Sequence, residues 1–185
     1  MLGCHDGIPL LDLRGLLPEA DIQRVIDAVV ANGGYVKDLH GAKNVYYQVN
    51  AAYYSALGGE DARMLTARAI QLFMPGRPQV WYLDLFAGEN DYDAVHRAGV
   101  NGHKEINRTN LTTEEVSARL DRRVVREQLE LLRFRNTFPA FTETTNVHFG
   151  TSGSCLTITW ENDSASARLE ANLDTAQYRI VSESC

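Results

Sequence analysis

The residues Gly3-Cys4-His5-Asp6-Gly7-Ile8-Pro9 set an imidazole and a carboxylate side by side, after small residues and before a glycine turn. At the mouth of an α/β barrel, such a pair hydrogen-bonds two adjacent sugar hydroxyls. Both bonds tighten as the anomeric carbon becomes cationic. A lone His-Asp pair more often marks a turn or a helix start, so the dipeptide needs its context. A second group is basic: Lys37, His40 and Lys43 lie in the polar stretch 35–44. They suit an anion such as a sugar phosphate or glycerate, although each lysine also reads as a solvated loop charge. The third group is Gly102-His103-Lys104-Glu105-Ile106-Asn107-Arg108. Within it, Arg108 has the plainer reading of a buried structural ion pair. His96 and His103 have no ligand spacing for a metal, and Cys4, Cys155 and Cys185 lie far apart, so no metal site and no cofactor are expected.

The elements that must position these groups follow from periodicity. A helix is expected from Pro18, with Glu19 and Asp21 in its first turn and Ile22, Val25, Ile26, Val29 and Val30 as a core stripe. Asn32-Gly33-Gly34 ends it. A second helix runs from about Glu60 to Phe73, buries Leu65, Ala69, Leu72 and Phe73, and stops at Pro75-Gly76. The apolar run Gln79-Val80-Trp81-Tyr82-Leu83 then reads as a buried strand. Helix, Pro-Gly break and buried strand together have the α/β-barrel rhythm. A long loop is expected from Asp84 to about Asn110, on the catalytic face. Thr112 and Glu115 form a capping-box signature for a short helix. The helix after it, about Arg122 to Thr137, has Val125, Leu129 and Leu132 on one face and Arg123, Arg126 and Glu130 in solvent. After Pro139 the period becomes that of strands: Asn146–Phe149, Cys155–Asn162, Ala165–Asp174 and Gln177–Ser182, a small antiparallel sheet.

A chain of 185 residues holds one domain or a domain with an appendage. The formal charge of −6 argues against general nucleic-acid or membrane-surface binding. No run is long and apolar enough to span a bilayer, and the N-terminus lacks the pattern of a signal peptide. Three scattered cysteines fit reduced thiols in a cytoplasmic protein.

Six blocks resemble sucrose phosphorylase and its relatives in order and spacing. They are His5-Asp6-Gly7-Ile8, Arg14-Gly15-Leu16-Leu17, Tyr46-Tyr47-Gln48-Val49-Asn50, Tyr53-Tyr54-Ser55-Ala56-Leu57-Gly58, Pro75-Gly76-Arg77-Pro78-Gln79-Val80-Trp81-Tyr82 and Glu105-Ile106-Asn107-Arg108. These enzymes are a branch of the α-amylase superfamily. The resemblance implies an α/β fold: residues 1–139 as the C-terminal part of a catalytic (β/α)8 TIM barrel, and residues 140–185 as a small antiparallel β domain. It implies that Asp6 stabilises the transition state and His5 assists it. Tyr47 and Gln48 match an acceptor-facing pair. Lys104 stands where sucrose phosphorylases usually have an arginine that helps hold the glucosyl unit, and this lysine looks more like the branch acting on sucrose 6-phosphate or glucosylglycerate. A lysine offers one point charge in place of a planar fork, so the contact differs in geometry.

The implied activity is that of a retaining α-glucoside phosphorylase, a glycosyltransferase that moves glucosyl from sucrose 6-phosphate or a similar anionic glucoside to phosphate. Plain sucrose is the alternative donor. The family's nucleophile Asp and acid/base Glu lie upstream of the His-Asp block and have no counterpart here. The isolated chain is therefore expected to be inactive and poorly soluble. A partner-dependent subunit, completed by the missing N-terminal barrel half, is the alternative from another class, and a functionless relic is the third. The expected small-molecule partners are a sugar and phosphate.

Overall fold

The computed structural model describes residues 1–38, 46–100, 102–142 and 145–184. In chain order it contains β1 (Ile8–Pro9), a 3-10 turn (Leu11–Leu13), α1 (Glu19–Ala31), β2 (Tyr35–Asp38) and β3 (Tyr46–Asn50). Then come α2 (Tyr53–Ala56), α3 (Asp61–Phe73), α4 (Tyr82–Leu85), α5 (Tyr92–Ala98) and a 3-10 segment (Gly102–Asn107). The chain continues with α6 (Thr113–Leu120), α7 (Arg123–Thr137) and strands β4 (Asn146–Ser152), β5 (Cys155–Glu161), β6 (Ala165–Asn172) and β7 (Gln177–Ser184). It divides into two compact units, Met1–Glu60 with Val80–Asp121, and Asp61–Gln79 with Arg122–Cys185.

The first unit is built on an antiparallel sheet of order β1-β3-β2. Pro9 opposes Gln48, and Ile8 opposes Val49, on the central strand β3. Proline has no N–H to give a ladder, which suits it to the edge strand β1. Helix α1 starts as expected after Pro18, which is its N-cap and not its first helical residue. Its apolar stripe is narrower than the sequence suggests. Ile22, Ile26 and Val29 are buried with Leu10, Val49, Ala51 and Ala56, whereas Val25 and Val30 are exposed. Ile22, Ile26 and Val29, at i, i+4 and i+7, form one stripe facing this cluster. Gly33 closes the helix at φ +86°, and a Cβ there would lie 2.0 Å from Tyr92 Oη. That phenol donates to the Gly33 carbonyl at 3.1 Å.

The run Gln79–Leu83 is not a strand. Trp81 is the N-cap of the single-turn helix α4, and residues 77–81 pair with no strand. Helix α4 has a counterpart in α2: each is one turn long, each has an extended N-cap, and Tyr53 N–H donates to Asp84 Oδ1 at 3.3 Å. A strand needs a neighbour to accept its ladder bonds, and among the described residues none lies beside this run. Nor is the segment after it a bare loop, because it folds into α5 and the 3-10 segment. Asp91 caps α5 by accepting from Ala94 N–H at 2.8 Å, and Asp91 N–H donates to Ile106 O at 2.9 Å. Helix α6 has the full capping box, with the Thr112 hydroxyl on Glu115 N–H and the Glu115 carboxylate on Thr112 N–H.

The second unit is an antiparallel meander of order β4-β5-β6-β7 together with α3 and α7. Ile158 and Trp160 on β5 and Ala165, Ala167, Leu169 and Ala171 on β6 face inward at strand period 2. Small residues on β6 let bulky ones reach the same layer. Trp160 Nε1–H donates to Phe73 O at 2.6 Å. Phe73, Phe134 and Phe141 pack edge-to-face and stacked, with centroids 5.2–6.4 Å apart. The buried face of α7 is Val124, Val125, Gln128 and Leu131, so Val125 is inside as expected while Leu129 and Leu132 are only half-buried. The shift has a polar cause. Arg68 on α3 is fully buried and donates from Nε to Gln128 Oε1 at 2.8 Å, which draws the Gln128 face of α7 inward. Residues Leu65, Ala69, Leu72 and Phe73 of α3 are buried as expected.

Candidate active site

The turn bearing His5 and Asp6 is tied down at both ends. Cys4 and Gly7 bridge through reciprocal backbone bonds of 3.3 and 3.0 Å. Gly7 has φ +103°, and a Cβ on it would lie 2.3 Å from Val49 O. Only glycine fits a positive φ so close to the neighbouring strand. Side chains from distant segments then hold the turn's carbonyls. Asn107 Nδ2 donates to Cys4 O at 2.5 Å, Arg108 Nε to His5 O at 2.8 Å and Asn50 Nδ2 to Asp6 O at 2.8 Å.

Arg108 also fixes the carboxylate. Its Nη2 donates to Asp6 Oδ1 at 3.1 Å, while Nη1 reaches Glu105 Oε1 at 3.3 Å. One planar guanidinium thus sets a main-chain carbonyl and a carboxylate of the same turn, a role its fork geometry permits and a lysine's does not. The other Asp6 oxygen lies 3.1 Å from His5 Nε2. Both side chains are about half exposed, at 60% for His5 and 47% for Asp6, so the pair is open to a ligand. The His5 ring lies 5.9 Å from the Trp81 ring, which in turn lies 4.5 Å from Tyr82. A carboxylate and imidazole beside a flat aromatic face can take the hydroxyl edge and the C–H face of a sugar ring. Tyr82 donates its phenol proton to Thr109 O at 2.5 Å, and burial pushes its pKa above the usual tyrosine value.

Four buried polar atoms around this turn have no hydrogen-bond partner among the described residues: Gln48 Nε2, Asn50 Oδ1, Trp81 Nε1 and Asn107 Oδ1. Groups of this kind are rare in native proteins and mark places where a water, a ligand or further protein belongs. Arg108 also lines a cleft of about 570 Å³ with Asp91, Arg97, Glu105, Thr109 and Asn110. Two guanidiniums there face two carboxylates, so the cleft has no strong preference for an anion.

The expected site residues fall into three sets. His5 and Asp6 are adjacent and oriented. Gln48 sits in β3, is buried, and opposes Pro9, two residues beyond the turn. Tyr47 belongs to the same strand by its backbone, and its side chain lies outside the described residues. Lys104 is half-buried in the 3-10 segment that also carries Asn107 and precedes Arg108. His40 and Lys43 lie outside the described residues. Sequence reasoning missed Asn50, Asn107 and Trp81 as contributors; the ion pair expected of Arg108 is present, with Asp6 and Glu105 as partners, although the side chain is half-buried and not buried. The one local signal for Arg108 is Glu105 three residues before it, a helical-spacing ion pair. Its pairing with Asp6 spans 102 positions and leaves no trace in spacing.

No family model matches the chain. Among curated proteins it is 53% identical to a sucrose 6(F)-phosphate phosphorylase of Ilumatobacter coccineus, over 99% of this chain and 36% of that protein. It is 35% identical to a sucrose phosphorylase of Bifidobacterium adolescentis, over 91% of this chain and 36% of the relative. A glucosylglycerate phosphorylase of Escherichia coli is 33% identical over 65% of this chain and 23% of its own length. The solved structure of a sucrose 6F-phosphate phosphorylase from Thermoanaerobacter thermosaccharolyticum superposes with a TM-score of 0.90 at 35% identity. That match covers all of this chain and 40% of that one. The chain thus spans about two fifths or less of the proteins it matches. Matched along its whole length to the C-terminal region of such enzymes, with a terminal β domain in place, the chain belongs to the sucrose phosphorylase branch of the α-amylase superfamily.

Proposed function

We propose that this chain is the C-terminal part of a retaining α-glucoside phosphorylase that transfers glucosyl from sucrose 6-phosphate, or a similar anionic glucoside, to phosphate and releases α-glucose 1-phosphate. The observation that carries the reading is the hold on Asp6: Arg108 on its carboxylate, and Arg108, Asn107 and Asn50 on the carbonyls of its turn. In the double displacement of this enzyme class, a carboxylate attacks the anomeric carbon while an acid protonates the leaving oxygen. Phosphate then takes the glucosyl group with retention. The resemblance assigns both of those carboxyl groups to the N-terminal barrel half. Asp6 acts as a third carboxylate that grips ring hydroxyls, most strongly in the cationic transition state, and His5 takes the neighbouring hydroxyl. A carboxylate that is already oriented loses little freedom when the sugar arrives. Gln48 and Tyr47 shape the acceptor side. Inorganic phosphate is a co-substrate, and no cofactor enters the reaction. Residues 1–139 belong to the barrel in this reading, residues 140–185 form the terminal domain, and the enzyme works in the cytoplasm. Among described residues no helix is long and apolar enough to cross a membrane.

The anionic donor is favoured by Lys104, His40 and Lys43, and by the relative at 53% identity, a sucrose 6(F)-phosphate phosphorylase. Plain sucrose is the runner-up, with glucosylglycerate as another anionic candidate. The test joins the N-terminal part of the Ilumatobacter relative to this chain and follows phosphate-dependent formation of glucose 1-phosphate. Sucrose 6-phosphate is expected to exceed sucrose in kcat/KM. Asp6→Asn should lower kcat by about 10²–10³-fold. Arg108→Met should lower kcat by about tenfold or more, and Arg108→Lys should recover little of it because one point charge cannot serve both acceptors. A folded, joined enzyme in which Asp6→Asn has no effect removes this reading. The reading of an inactive or partner-dependent piece is favoured by the 36% span of that relative. It predicts that the unjoined chain alone gives no turnover.

A further inference from the structure

We infer that Cys4, His5 and Asp6 form a binding site for a soft divalent cation of the Zn²⁺ class. One ligand atom from each residue lies within 4.8 Å of the others. The ion takes thiolate, imidazole and carboxylate at about 2.0–2.3 Å, so small side-chain rotations bring all three into its tetrahedron. The turn is rigid enough to hold the set, because it is closed by the Cys4–Gly7 bridge and its carbonyls are occupied by Asn107, Arg108 and Asn50. Asp6 presents one oxygen to Arg108 and keeps the other toward His5. A carboxylate already neutralised on one oxygen can still ligate through the second. Cys4 Sγ accepts from Asp6 N–H at 3.4 Å and donates to Gly7 O at 3.6 Å, so the sulfur is held on the same turn as His5 and Asp6. The exposure of His5 and Asp6 leaves a path for the ion and an open fourth position for water.

The ligand types select the metal. Sulfur and imidazole with a single carboxylate fit Zn²⁺, Cd²⁺ or Co²⁺ and disfavour Mg²⁺ and Ca²⁺, which take oxygen shells. On binding, the Cys4 thiol gives its proton to solvent and the metal–sulfur bond takes its place. Spacing alone argued against a metal because it compares residues far apart in sequence. Here three consecutive residues supply the ligands, and the tight turn brings their side chains to one side. Occupancy would consume the groups assigned above to the sugar, so the ion acts as an inhibitor and not as a cofactor.

The chain with Cys155→Ser and Cys185→Ser is titrated with Co²⁺, following the near-ultraviolet thiolate-to-cobalt band and the visible d–d bands. A saturable band at one Co²⁺ per chain, displaced by Zn²⁺ and unaffected by Mg²⁺, is expected. Cys4→Ser should abolish the near-ultraviolet band, and His5→Ala should weaken binding by about tenfold or more. Cys4→Ala serves as a second variant, and far-ultraviolet circular dichroism checks that the folds agree. Absence of the band in the Cys4-only chain overturns the site, as does an unchanged Co²⁺ affinity in both Cys4 variants. The readout is binding without turnover, so its failure leaves the phosphorylase reading standing, and loss of that reading leaves the metal site to be judged by its own spectrum.

Discussion

The two compact units are held together by different chemistry. In the second unit the interior is mainly apolar and aromatic: Ile158, Trp160 and Leu169 of the sheet are buried, and Phe73 stacks with Phe134. Some of its polar contacts, such as Trp160 Nε1–H on Phe73 O, finish a packed core, whereas the buried Arg68–Gln128 bond decides which face of α7 turns inward. In the first unit the segments around residues 3–7 are instead fastened by side-chain amides and a guanidinium on backbone carbonyls. Gln48 Nε2, Asn50 Oδ1, Trp81 Nε1 and Asn107 Oδ1 there have no partner among the described residues, and neither has Arg135 Nε in the second unit. An apolar core is satisfied by shape, whereas a polar one is complete only when every donor and acceptor is matched. The first unit therefore has the marks of a surface prepared for a ligand or for more protein, and the second those of a self-contained core.

The largest effects expected from this contrast are on stability. Trp160→Ala removes a buried indole and leaves Phe73 O without its donor, at a cost of about 3–5 kcal/mol. Hydrogen exchange read by mass spectrometry should show lost protection across β4–β7. Asn107→Ala should cost less, about 0.5–1.5 kcal/mol, because one hydrogen bond is lost while Cys4 O keeps the N–H of Gly7. Its loss of protection should centre on residues 3–8. If Asn107→Ala costs as much as Trp160→Ala, the first unit is not the lightly packed, polar-fastened one, and the contrast fails.

What the sequence could reveal follows the same division. The terminal strands announce themselves by alternation, because each buries one face and a period of 2 is a local property. The helices α1, α3 and α7 and the capping box at Thr112 are local for the same reason. Their partnering is not local. The period change at Pro139 marks where strands begin but carries no sign that α3 and α7 group with those strands. Val25 and Val30 look like core by spacing, yet both are exposed, because spacing says which residues share a face and not what covers it. The apolar run Gln79–Leu83 has the composition of a strand, and composition cannot supply the neighbouring strand it needs. In the site, His5 and Asp6 were legible because they are adjacent. Their holders were not, since Asn50, Asn107 and Arg108 meet the turn from 44 to 103 positions away.

A pH series sharpens the comparison by a smaller margin. Burial raises the Tyr178 pKa above 10.0, aided by Glu127 and Glu130 and opposed by Arg123. Burial alone raises that of Tyr82 in the first unit. In each case the unfolded chain ionises first. It then binds fewer protons than the folded one, so stability is intact below about pH 10 and falls as pH rises toward the folded pKa. Urea midpoints measured from pH 8 to 11 should drop less in Tyr178→Phe than in the parent. Tyr82→Phe should show the same flattening but start from a lower midpoint, since its phenol donates to Thr109 O. Equal slopes in parent and Tyr178→Phe would show that the buried phenol does not report on the second unit's core.

The smallest effects come from one strain found, among the described residues, once in each unit. Ala87 and Ala176 both have positive φ, at 47° and 51°. A side chain in this region costs about 1–2 kcal/mol, which glycine avoids in part because it also gains freedom in the unfolded chain. Ala176 closes the β6–β7 turn, where Asn172 Oδ1 accepts from Asp174 and Thr175 N–H, and its methyl is only partly covered. Ala176→Gly should therefore stabilise by about 0.5–1 kcal/mol. The Ala87 methyl is fully buried, and its conformation is held by Arg119 Nη1 on the Phe86 and Ala87 carbonyls at 3.1 and 3.3 Å. Removing that methyl gives up about 0.8 kcal/mol of burial, which offsets the relief of strain. Ala87→Gly should therefore move the urea midpoint very little. A clear gain at Ala87 would mean that its methyl packs against nothing of consequence, and that the first unit is looser at α4 than its buried residues indicate.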